Sequence, residues 1–230
     1  APVPVPAQVG VPLAWFGLFD SAVELPNVQL DGSIPSGTGG WRCEIDEAGH
    51  AAAVGAIRSA VADGSVYLVN YTARLRRPWS PGDDCADLYR RICGAHAGGF
   101  HTFIETGDWA VACGSPELFL EMADGMVTTR PMKGTAQRGR WAEEDEQAAA
   151  RLARSEKERA ENVMVVDLLR NDLDRIAMPG TVAVPKLWQV ERHPTVWQLT
   201  STVTAAPRAG VGLADVFAGM FPCGSGTGAP

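Results

Sequence analysis

The chain has 230 residues, 46% of them apolar, and a formal charge of −7; it can bury a core as one large domain or two small ones, and no long-range positive field draws it to nucleic acid or anionic lipid. No apolar run approaches the ~18–20 residues that span a bilayer, and the start, APVPVPAQVGVP, lacks a basic n-region and an apolar h-region, so the expectation is a cytoplasmic protein with no membrane and no nucleic-acid partner. Cys43, Cys85, Cys93, Cys113 and Cys223 are odd in number, scattered and without C-x-x-C spacing, which reads as reduced thiols and no zinc site.

In chain order, residues 1–40 form a Pro/Gly-rich segment with Pro2, Pro4, Pro6, Pro12, Pro26, Pro35 and a Gly/Ser run at 32–40, the composition of loop or linker. Within it the apolar island Leu13–Phe19 reads as a strand. Residues 46–63 set Val54, Ile57 and Val61 on one face at helical spacing, with Gly64 as the stop signal, and this helix feeds a β-branched and aromatic strand, Val66–Leu75. A second helix is predicted at 83–95. Strands at 99–105, 109–113 and 125–130 form a meander with turns at Gly107-Asp108 and Asp124-Gly125. The run from Glu143 to Ile176 is helical with one break near Arg154-Ser155; 181–190 and 196–205 return to strand, and a helix at 212–219 enters a Gly-rich tail. There is no internal repeat. Helices and mostly antiparallel strands in this order predict an α+β fold.

Three blocks carry candidate chemistry: Arg130-Pro131-Met132-Lys133-Gly134-Thr135, ERAENVMVVDLLRND at 158–172, and FPCGSGTGAP at 221–230. Proline fixes φ and glycine permits close approach, so a loop bounded by both suits a reacting Lys133, although an arbitrary lysine in a surface loop merely ion-pairs. An ordinary lysine titrates near ~10.4, so a nucleophilic one needs burial or nearby cations to favour its free amine; Arg130, Arg138 or a metal would serve. Glu158 and Glu161, three apart, emerge on one helix face. Most such pairs are a solvated face, but the apolar NVMVVDLLR that follows carries this one toward an interior or cleft, where Mg²⁺ suits hard carboxylate ligands. Gly134 and Thr135 offer an amide and a hydroxyl beside the lysine. Ser225, Gly226 and Thr227 lie in a small-residue turn whose amides suit an anion, unless the tail is a flexible terminus.

These blocks, in this order and spacing, resemble the chorismate-utilising enzymes over about residues 41–230, and the lysine at 133 is similar to the branch that aminates chorismate at C4. The anthranilate-forming branch usually has alanine there. The resemblance implies sheets packed together with helices outside, an active site in the cleft between them, and a catalytic domain incomplete at the C-terminus. It implies that Lys133 attacks C2 of chorismate and displaces the C4 hydroxyl. Glu117, in Ser115-Pro116-Glu117, would be the general acid that protonates the leaving group, although Ser-Pro-Glu is also a good helix start. Glu161 would be a direct Mg²⁺ ligand with Glu158 close by; Gly134, Thr135, Ser225, Gly226 and Thr227 would hold substrate carboxylates. Ammonia would come from a glutamine amidotransferase subunit or domain, and the product would feed p-aminobenzoate and folate. Anthranilate synthesis and a catalytically inactive remnant that only binds are the alternatives.

The pattern departs from the family in places. Tyr67-Leu68-Val69-Asn70 has leucine where the family strand has glutamine, and Thr195-Val196-Trp197-Gln198-Leu199 has tryptophan at a histidine position, leaving Gln198 as a hydrogen-bonding group for substrate. Cys223 and Gly226 replace a glycine and a branched apolar residue. Arg170, Asn171, Asp172 and Asp174 are read as structural ties at the helix end.

Overall fold

The computed structural model describes residues 17, 19–23, 40–79, 82–95 and 98–229. Most of the strand expected at Leu13–Phe19, and most of the 1–40 segment, lie outside the described residues. Two compact units result, one holding residues 79–116 and the few described before 24, the other residues 40–78 and 117–229.

In the smaller unit, helix α2 (Cys85–Ala95) starts where the Asp84 carboxylate accepts from the Ala86 amide at 2.9 Å. It packs on a hairpin of β4 (Phe100–Glu105) and β5 (Ala110–Ser115), paired from Phe100↔Ser115 to Glu105↔Ala110. Gly107, at φ 89°, supplies the left-handed turn residue. Gly114 has to be glycine for packing, since a Cβ there would run into the Ile92 side chain. Tyr89 stacks on Phe103 with centroids 5.3 Å apart, and Cys93 is buried.

In the larger unit, β1 (Arg42–Cys43) pairs with β3 (Leu75–Arg76), and α1 (Glu47–Ala62) begins where the Asp46 carboxylate accepts from the Gly49 amide at 2.7 Å. The expected long strand at Val66–Leu75 is broken: only β2 (Leu68–Val69) and β3 are strand, and residues 70–74 between them are not. A five-stranded antiparallel sheet follows. It runs β6 (Leu118–Ala123), β7 (Met126–Arg130), β10 (Val196–Ala205) and β8 (Met132–Gln137), with β9 (Ala183–Arg192) also on β10. The β6–β7 turn uses Asp124 and Gly125, both at positive φ. β7 and β8 lie along β10 as two halves of one run, interrupted by Pro131, which has no amide to donate; its carbonyl still accepts from Ser201 N at 3.1 Å. The segment around Lys133, expected as a loop, is therefore strand.

Helices α3 (Ala142–Arg154) and α4 (Glu156–Asp174) meet at Ser155, whose amide closes α3 on Leu152 O and whose hydroxyl caps α4 by accepting from Glu158 N at 3.3 Å. The core lies between α4 and the sheet: Val165, Val166, Leu169 and Leu173 meet Val127, Val203 and Ala205, and Val216 and Met220 of α5 (Leu213–Met220) close one end. The tail is ordered. Short α6 (Gly224–Thr227) leads into β11 (Gly228–Ala229), which pairs with β2 in the register Gly228↔Val69 and Ala229↔Leu68. Gly224 admits this because any Cβ would collide with Leu168 of α4. No helix of the described residues is long and apolar enough to cross a membrane, and all five cysteines are free.

Candidate functional site

The strand β8 bulges at Lys133. Gln198 pairs with Thr135 and Thr200 with Met132, so Lys133 and Gly134 together face Leu199 alone. Bulges of this kind bend a strand and re-aim a side chain. Gly134 permits it twice over: its φ is +98°, and a Cβ would stand 3.0 Å from Glu158 Cβ and 3.1 Å from Leu199 Cβ. The first turn of α4 thus lies directly over the backbone that follows the lysine.

The Lys133 ammonium donates to Asn70 Oδ1, and Asn70 Nδ2 donates to Ser225 O at 2.7 Å. Asn70 N also donates to Thr227 O at 3.1 Å, so the residue after β2 joins the lysine to the tail. Glu117 stands at a bend just before β6; no helix begins at Ser115-Pro116-Glu117, because Leu118 is taken into the sheet opposite Arg130. One Glu117 oxygen accepts from Met132 N at 3.3 Å. Burial raises its carboxyl above the usual glutamate value, and the Ser225 hydroxyl, the Met132 amide and the Lys133 charge partly offset that rise. A carboxyl so placed keeps its proton to higher pH than an exposed one.

Glu158 and Glu161 share the α4 face expected, half-buried at 22% and 35% side-chain exposure. Lys157 Nζ reaches them at 3.1 and 3.5 Å, so a cation already spans the pair. Two hard carboxylates drawn to one positive charge fit a divalent ion that completes its shell with water and ligand oxygens. No group of three or more His, Cys, Asp or Glu gathers for a metal among the described residues.

Thr135, on the exposed side of β8, donates its hydroxyl to Gln198 Oε1 at 3.1 Å. In the tail, the amides of Gly226 and Thr227 donate to Cys223 O at 3.0 and 3.1 Å, so they serve the turn rather than an anion, and the Ser225 hydroxyl lies 3.1 Å from Cys223 Sγ. The expected cations at Lys133 are also committed elsewhere. Arg130 pairs with Glu191, and Arg138 with Asp145. Trp197 joins that second pair, donating Nε1–H to Asp145 Oδ1 at 2.8 Å beneath the Arg138 guanidinium, while Leu68 packs against the core. Both departures from the family pattern thus have a packing role. Of the residues tied to Lys133, sequence reasoning missed Asn70 and Asn162 as site members; each is an amide in a strand or helix block already marked for other reasons, with nothing in its spacing to single it out.

Fold and sequence together identify the class: the chain belongs to the chorismate binding enzyme family, which matches residues 21–230. Within it, the chain is 39% identical to aminodeoxychorismate synthase component 1 of Klebsiella aerogenes over 84% of this chain and 42% of that protein. It is 37% identical to anthranilate synthase component 1 of Streptomyces coelicolor over 84% of this chain and 38% of that one. The crystal structure of anthranilate synthase component I from Streptococcus pneumoniae TIGR4 superimposes with a TM-score of 0.73 at 29% identity, covering 83% of this chain and 41% of that one. The chain thus spans about two fifths of the length of these relatives.

Proposed function

We propose that the protein to which this chain belongs aminates chorismate to 4-amino-4-deoxychorismate, with ammonia delivered by a glutamine amidotransferase partner, on the route to p-aminobenzoate and folate. The uncharged Lys133 amine attacks C2 of the ring, the diene shifts, and the C4–O bond breaks. Glu117 gives its proton to the departing hydroxyl, which leaves as water. Ammonia then bonds to C4, the C2–N bond to Lys133 breaks, and the proton released from the new ammonium returns to Glu117. Net, chorismate and ammonia become the amino product and water.

Glu158 and Glu161 would hold Mg²⁺, whose charge would neutralise a ring carboxylate that an acidic protein otherwise repels. Gly134, Thr135, Gln198 and the 225–227 turn would line the substrate. The observation that carries this reading is the convergence at one bulge: the lysine, a buried acid whose carboxyl holds its proton to higher pH than an exposed one, and Glu158, the first of the carboxylate pair, over the adjacent glycine. Identity alone does not separate the two amination products, since both kinds of relative are similarly close; Lys133 favours 4-amino-4-deoxychorismate.

The test is product analysis with chorismate, Mg²⁺ and ammonium. 4-Amino-4-deoxychorismate that disappears in Lys133→Ala supports the proposal. Anthranilate, or wild-type turnover in the variant, overturns it.

A further inference from the structure

Strand β10 carries a second irregularity one step from the first. Opposite β9, Thr200 pairs with Gln189 and Thr202 with Lys186, so Leu187 and Trp188 together face Ser201. Trp188 sits there at φ +56°, a left-handed conformation that a bulky side chain adopts only where its surroundings enforce it. One buried pair touches both bulges. Asn162, fully buried on α4, donates through Nδ2 to Lys133 O at 3.4 Å and to Leu199 O at 3.2 Å, the carbonyls on either side of the lysine bulge. Its Oδ1 accepts from Ser201 Oγ at 2.6 Å, and Ser201 Oγ accepts from Trp188 N at 3.1 Å. Trp188 in turn donates its indole N–H to Arg159 O at 3.2 Å, with the Arg159 guanidinium 4.0 Å from its ring centroid.

From this geometry we infer that Asn162, Ser201 and Trp188 are positioning residues that key α4 to the strand bearing Lys133, fixing the separation between the amine and the Glu158/Glu161 face. Asn162 lies next to Glu161 in sequence and one turn beyond Glu158, so its bonds to β8 and β10 set how far those carboxylates stand from the lysine backbone. An apolar core residue would hold α4 against the sheet equally well but would leave the bulge carbonyls unsatisfied. An amide with two donors and one acceptor meets all three groups and selects one register. None of these side chains needs to touch substrate. The inference rests on the proposed role of Lys133, and its physical part is measurable without it.

The experiment compares Asn162→Asp, Asn162→Leu and the milder Ser201→Ala with wild type in the complete protein. Thr181→Ala serves as a control for loss of a half-buried hydroxyl remote from the bulges, since the Thr181 hydroxyl bonds the Met178 and Ala206 carbonyls and the Ala206 amide. Amide hydrogen exchange is expected to quicken in peptides covering 132–135 and 187–189 for the Asn162 and Ser201 variants and to stay unchanged there for Thr181→Ala. In steady-state kinetics, kcat for chorismate should fall by about 10²-fold in Asn162→Asp, the scale of loss that an ångström of misplacement brings, with KM for chorismate little altered. Unchanged exchange at 132–135 in both Asn162→Leu and Ser201→Ala overturns the latch. Faster exchange with an unchanged kcat in Ser201→Ala overturns its positioning role. If the wild type itself lacks chorismate turnover, the functional reading fails while the exchange data still decide whether the bulges are coupled.

Discussion

Helices α1 and α4 are similar in length, 16 and 19 residues, and each begins at a side-chain cap, yet α1 has no buried residue while α4 buries Asn162, Val165, Val166, Leu169, Asp172 and Leu173. The cap explains where each helix starts. Burial explains what it can position. Because α4 is fixed along its back by the sheet and at its first turns by two strand bulges, a carboxylate on it has a defined place relative to Lys133, whereas no buried residue of α1 fixes its charged groups in that way.

The sharpest test of this contrast is catalytic. Lys133→Ala is expected to abolish amination with exogenous ammonium, while Arg58→Ala, on α1, leaves turnover at the wild-type level; a chorismate assay at saturating Mg²⁺ reads both. Glu117→Gln should lower kcat by about 10²–10⁴-fold, the range for a positioned proton donor, with substrate KM little changed. The same variant carries a stability signature. Because burial raises the Glu117 value in the folded state, its contribution is present at low pH and lost as pH rises through that value. Glu117→Gln should therefore melt higher than wild type at neutral pH, and the gap should close below about pH 4, near the ordinary glutamate range.

Packing gives the next effect. Leu169→Ala, on the buried face of α4, should cost about 2–5 kcal/mol in urea unfolding. Ile57→Ala, on α1, should cost about 1 kcal/mol or less. A similar loss at both positions would erase the distinction between the helices. The smallest effect concerns Asp145, whose carboxyl the Arg138 side chain holds far below the usual aspartate range. Its contribution is full above the ordinary aspartate value of about 3.9 and fades as pH falls below it. The melting difference between wild type and Asp145→Asn should therefore shrink on acidification from pH 5 to pH 2.

Much of this fold was legible in the chain. The break at Ser155, the Gly107 and Asp124-Gly125 turns, and strands β9 and β10 follow from caps, left-handed turn residues and β-branched runs that act locally. Helix α1 was legible as a helix, but its Val54, Ile57 and Val61 face predicted burial that the fold does not supply, with Val61 45% exposed. Pro131 and Gly134 are punctuation in most contexts, which hides strand β8 in the sequence; here the proline is a gap between two half-strands and the glycine is the bulge. The candidate residues stood out by chemical type, Lys133 and the carboxylates above all. Asn70 and Asn162 did not, since their importance lies in contacts 63 and 29 positions from Lys133, and such pairings are set by the tertiary fold.

A nucleophilic Lys133 amine has to bond covalently to the chorismate ring. Mass spectrometry of the complete protein after incubation with chorismate and Mg²⁺, with ammonia withheld, detects that bond. The expected product is an adduct of chorismate less one water on the peptide containing Lys133, absent from Lys133→Ala and discharged by added ammonium. Turnover to the amino product with no adduct at Lys133, or an adduct mapped to another residue, would contradict it.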